Sequence, residues 1–125
     1  MSGDRFLLDT NAVIALLRGN TPVESLVSSA SWLGVSVITV LEYRVFKNLS
    51  DDDARLFKCF IERIEVINLD ATDSSLVEKT VELRRQFQLK LPDAIIAATA
   101  YCRNAAIITS DKTFKRKIGQ PVIVF

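Results

Sequence analysis

Four acidic residues, Asp9, Glu42, Asp93 and Asp111, stand where they could do hydrolytic chemistry, in a chain with no histidine. The missing imidazole removes the Ser-His-Asp and Cys-His nucleophile arrangements, histidine-assisted cleavage and the usual zinc sites. Carboxylates, hydroxyls, lysines and oxygen-bound metal remain as tools. Each acid also has an ordinary structural reading. Asp9 begins Asp9-Thr10-Asn11 at a strand-to-helix turn and can cap the helix. Asp93 follows Pro92 at a helix start, where a negative charge suits the helix dipole. Asp111 follows Thr109-Ser110 and can cap the next turn. Glu42 is different: Ile38, Leu41, Val45, Phe46 and Leu49 form an apolar stripe at helical spacing, and Glu42 falls within it. A carboxylate facing a core is expensive unless it is paired or bound to a cation.

The elements needed to bring these acids together are legible. Phe6–Asp9, Gly34–Val37, Val66–Leu69 and Ile107–Thr109 are short, mostly apolar runs that read as strands, with another at Val122–Phe125. Between them lie helical spacings: Asn11–Arg18, a short helix opened by Pro22, Ile38–Leu49, Asp51–Arg63, a long helix capped by Thr72 or Asp73 and ending near Phe87, and an alanine-rich helix Asp93–Asn104. Asp111–Lys117 reads as a short helix or turn. Strands alternating with helices predict a parallel sheet covered on both faces, and such sheets bind ligands beyond the carboxyl ends of their strands. Asp9 and Asp111 then lie past strand ends, and Glu42 and Asp93 lie near helix starts, all on one edge. Like charges about 4 Å apart repel by roughly 4 kcal/mol per pair at an effective dielectric of 20. Four converging carboxylates would take up protons or bind a hard cation, and Mg2+ or Mn2+ suits all-oxygen ligands. Thr10, Asn11 and Thr109 are placed to orient them.

The chain has 125 residues, 49% hydrophobic and 25% charged, with a net charge of +1. It is long enough to bury a core, and residues 1–125 read as one domain without linker or repeat. A net charge so small neither requires nor excludes nucleic acid, so local basic runs decide. Lys112, Lys115, Arg116 and Lys117 flank the last acid, and Arg44, Lys47, Arg84, Arg85 and Lys90 could add to them. Cys59 and Cys102 read as buried free thiols within helices. No apolar run is long enough to span a bilayer, and the start of the chain has no secretion-signal pattern, so a cytoplasmic location without membrane contact is expected.

Together these pieces resemble a known family, the PIN (PilT N-terminus) domain, and in particular the VapC-type toxins of bacterial toxin–antitoxin pairs. The resemblance rests on Phe6-Leu7-Leu8-Asp9-Thr10-Asn11 with Val13-Ile14, and on Val35-Ser36-Val37-Ile38-Thr39 leading to Glu42. It continues in Pro92-Asp93-Ala94-Ile95-Ile96-Ala97-Ala98-Thr99-Ala100 and in Ile108-Thr109-Ser110-Asp111 with Phe114. It implies a three-layer α/β/α sandwich with a central, mostly parallel sheet and endoribonuclease activity on RNA. It also implies Asp9, Glu42, Asp93 and Asp111 as the acids of the site, a homodimer and a cognate antitoxin partner. One departure is Ser110, which stands where relatives commonly carry arginine. Two other readings fit the residues: a phosphotransfer domain in which Asp9 accepts phosphate, and a non-catalytic interaction module whose acids only cap helices.

Overall fold

The computed structural model describes residues 4–112, 114 and 121–125. Among these residues the order is β1 (Asp4–Leu8), α1 (Thr10–Leu17), α2 (Thr21–Ser28), β2 (Ala30–Ser36), α3 (Val37–Arg44) and α4 (Asp51–Ile61). It continues with β3 (Glu65–Ile67), α5 (Ser74–Phe87), α6 (Leu91–Cys102), β4 (Ala106–Thr109) and β5 (Val122–Val124). The strands form one sheet in the order β3-β2-β1-β4-β5, and every neighbouring pair is parallel. No helix among the described residues is long and apolar enough to cross a membrane.

Period-two alternation in the strands builds the three layers. Leu7 and Ile107 point to one face, where they pack with Leu76 and Leu83 of α5 and Ile96 of α6. Phe6, Leu8 and Ile108 point to the other face and pack with Val13 of α1, Val23 of α2, Tyr43 of α3 and Phe57 of α4. Both faces are apolar, so the central strands have no solvated side: β1 ends in buried Phe6, Leu7 and Leu8, and β4 in buried Ile107 and Ile108 followed by Thr109. In α6 every residue from Ala94 to Ala100 is buried, so this alanine-rich helix packs closely through its middle two turns.

Caps fix the helix starts. Asp9, Asn20, Ser36 and Asp73 each accept a backbone N–H from the first turn of the helix that follows. Ser50 and Asp53 form a reciprocal capping box in front of α4. At the amino ends of the strands, the Arg5 guanidinium lies 4.6 Å from the Trp32 ring centre, and the Trp32 indole N–H donates to Glu65 at 3.1 Å. The Trp32 ring lies over Gly34, and a Cβ at position 34 would meet that ring and stand 3.1 Å from the Glu65 carbonyl oxygen. Gly34→Ala should therefore lower stability by about 1–3 kcal/mol, the usual range for overpacking. Urea unfolding checks this, with the denaturant slope unchanged.

Two sequence expectations need correcting. Cys59 is exposed and Cys102 only partly buried, although both are free as expected. The helix expected over Ile38–Leu49 ends at Arg44, and its buried residues are Thr39 and Tyr43. Leu41, Val45 and Phe46 are 57%, 77% and 42% exposed. With the helix stopped, residues 45, 46 and 49 leave its register, so the expected apolar stripe is not the face that packs.

Candidate functional site

Asp9, at the carboxyl end of β1, does two things. Its Oδ1 accepts the Ala12 N–H at 2.8 Å, which starts α1. The same side chain also faces a hollow of about 260 Å³, whose walls include Asp9, Thr10, Glu42, Phe46, Asp93 and Ile96. The capping role is real and does not exclude the other.

Burial raises the Asp9 carboxyl from 3.8 to about 6. Hydrogen bonds from the Thr109 hydroxyl and the Ala12 N–H oppose that rise, while the negative charges of Asp93 and Asp111 add to it. These last contributions place both acids within electrostatic reach of Asp9. Thr109, fully buried at the end of β4, also accepts the Asp111 N–H at 3.0 Å. Its hydroxyl thus ties the Asp9 carboxylate to the backbone of the fourth acid.

Glu42 is partly buried on α3 and accepts a 2.5 Å hydrogen bond from the Thr10 hydroxyl. That bond crosses from the start of α1 to α3 and fixes the carboxylate in the wall of the hollow. The cost of burying a charge in an apolar stripe does not arise, because Glu42 sits at the edge of the packed face. Asp93 lies in the first turn of α6, partly buried. Asp111 is exposed, and its carboxylate accepts the Phe114 N–H at 3.4 Å.

The fold therefore brings Asp9, Glu42 and Asp93 into one hollow and sets Asp111 beside it. Thr10 contacts Glu42 and Thr109 contacts Asp9. Asn11 is exposed and lines the hollow. Lys112 is exposed next to Asp111, whereas Lys115, Arg116 and Lys117 lie outside the described residues. Sequence spacing missed Ile14, Phe46 and Ile96 as walls. Only the i+4 relation of Phe46 to Glu42 hinted at one of them.

No cluster of three or more acidic or cysteine side chains is drawn together as metal ligands among the described residues. The donor set nevertheless suits magnesium, which keeps several waters and takes only one or two carboxylates directly. The hollow is large enough for such a hydrated ion, and among the described residues all its charged groups are carboxylates.

The model of the PIN domain family matches residues 6–119. Among solved structures, the chain is similar to a toxin–antitoxin complex from Klebsiella pneumoniae. The identity is 29%, over 94% of this chain and 95% of that one, with a TM-score of 0.78. It is also similar in fold to VapBC2 from Rickettsia felis bound to a DNA fragment from its promoter, at 22% identity, 96% and 98% coverage and a TM-score of 0.77. DNA-bound VapBC from Salmonella typhimurium gives 24% identity, 97% and 98% coverage and a TM-score of 0.78. No curated protein matches the chain.

Proposed function

This chain belongs to the PIN domain family, and from that premise we propose that it is a magnesium- or manganese-dependent endoribonuclease, the toxin of a toxin–antitoxin pair. The observation that carries the reading is the shared hollow, in which Asp9, Glu42 and Asp93 meet at the carboxyl edge of the sheet. Likeness to toxin–antitoxin complexes supports the biological role.

Asp9, Glu42 and Asp93 would hold the ion, with Asp111 adding negative charge beside Asp9. The chemistry that a bound divalent ion supplies is a lowered pKa for water and neutralisation of charge on the phosphate. The chain's own residues do the positioning. Thr10 holds Glu42, and Thr109 together with the Ala12 N–H holds Asp9, so the carboxylates meet their ligand without reorganising. Ile14, Phe46 and Ile96 give the hollow an apolar side. Without a cation these acids would repel a phosphodiester, so substrate and ion must enter together or in order.

A cognate antitoxin and a homodimer belong to the same reading. Leu41, Val45 and Phe46 form exposed apolar surface next to the acids, the kind of surface a protein partner covers. The test is incubation of the purified chain with single-stranded RNA and Mg2+ or Mn2+. Internal cleavage that stops on chelation is expected. Intact RNA, together with a stable phosphoryl adduct after exposure to acetyl phosphate, would replace this reading by phosphotransfer.

A further inference from the structure

A second hollow, of about 540 Å³, opens beside the acidic one, and the two share Asn11 and Ile14 as wall residues. Arg18, Asn20 and Ser110 also line it. The sequence positions explain the arrangement. Asn11, Ile14, Ala15 and Arg18 are spaced i, i+3, i+4 and i+7, so they form a single stripe along α1 and its C-cap. The stripe begins next to Asp9 and ends at a guanidinium. At 1.5 Å of rise per residue it spans about 10 Å, or about three stacked nucleotides at 3.4 Å each. Arg18 is exposed and forms no ion pair among the described residues; the pairs there are Asp52–Arg55, Lys79–Glu82 and Glu65–Arg103.

The geometry points to Arg18 as the residue that takes a phosphate of the RNA strand flanking the one held at the acids. The inference rests on the nuclease reading and adds the path of the substrate. Among the described residues, every charged side chain in the acidic hollow is a carboxylate, so a cation beside it is the complement that a polyanion needs. The second hollow supplies a cation, the Asn20 amide and the Ser110 hydroxyl, and Ile14 and Ala15 give an apolar floor on which bases or sugars can rest. Ser110 is exposed in the same wall, and among the described residues Arg18 is the cation of this hollow.

The experiment uses the full chain with Mg2+ and a short fluorescein-labelled single-stranded RNA. Arg18→Ala should raise KM for cleavage about three- to tenfold and leave kcat within about twofold. In the Asp93→Asn background, where cleavage should be at least about a hundredfold slower, it should lower the salt slope of RNA binding by about one. Arg18→Lys should keep that slope, because a phosphate contact needs the charge. An unchanged KM and salt slope, or a fall in kcat alone, would overturn the assignment of Arg18 while leaving the nuclease reading in place. Failure of the unaltered chain to cleave any RNA would overturn both.

Discussion

Asp93→Asn should reduce Mg2+-dependent RNA cleavage at least about a hundredfold while leaving the fold standing. The substitution keeps the shape of the side chain, removes its charge and turns one acceptor oxygen into an N–H donor. Asp93 sits in the first turn of α6, where a negative charge contributes about 0.3–1 kcal/mol through the helix dipole. The rest of α6 is held by the buried run Ala94–Ala100, which the change does not touch. The helix-dipole part of the structural penalty is therefore small. The functional penalty is large, because Asp93 is one of three carboxylates among the described walls of the hollow that would hold the ion, directly or through water. A hundredfold loss corresponds to about 2.7 kcal/mol of transition-state stabilisation. Single-turnover cleavage beside thermal unfolding separates the two effects. Asp111→Asn should cost less, since Asp111 is exposed beside the hollow and acts on Asp9 through charge. Cleavage by the Asp93→Asn variant within about threefold of the unaltered chain would remove Asp93 from the machinery.

Much of this site was readable in the residues because the parallel sheet converts sequence order into position. A strand followed by a helix must turn at the strand's carboxyl end, so Asp9 and Asp111 were bound to share an edge. The caps at Asp9 and Asp73 follow from residue type alone. The apolar stripe that singles out Glu42 in the sequence is not a packed face of the fold. Extending α3 to Leu49 made Leu41, Val45 and Phe46 look like a core face, whereas the helix stops at Arg44 and those three are exposed. Where a helix lies on a sheet decides which side is buried, and spacing within the helix carries no such information. The Thr10–Glu42 hydrogen bond joins residues 32 apart in sequence, and the Thr109 hydroxyl joins Asp9 to the Asp111 backbone. Threonine at those positions has no local signature, so these contacts needed the fold. The path along α1 to Arg18 escaped notice for another reason. The stripe of Asn11, Ile14, Ala15 and Arg18 mixes polar, apolar and charged residues, and amphipathic patterning passes over it.

Asp9→Asn should make the ion-free chain more stable at neutral pH, even though it removes a charge from the heart of the site. In the folded chain the Asp9 carboxyl is raised from 3.8 to about 6, mainly by burial. The folded state thus holds this proton more tightly than the unfolded state. The contribution of Asp9 to stability is full below about pH 4, falls as pH rises toward 6, and stays depressed above that. At 1.36 kcal/mol per pKa unit the deficit at pH 7 reaches about 3 kcal/mol. Asparagine keeps the carbonyl oxygen that accepts the Ala12 N–H, and it caps helices as well as aspartate does. It escapes both the burial of charge and the repulsion from Asp93 and Asp111. In chelator, thermal unfolding of the unaltered chain should give a lower Tm at pH 7.5 than at pH 5, relative to a variant whose residue 9 does not titrate. Adding Mg2+ at pH 7.5 should raise the Tm of the unaltered chain and leave the variant nearly unmoved, because a cation in the hollow favours the ionised carboxylate. An Asp9→Asn variant that melts below the unaltered chain in chelator at pH 7.5 would mean that the Asp9 charge already has its partner within the chain. Asp9 would then be a structural acid, and the hollow would have no need of a metal ion.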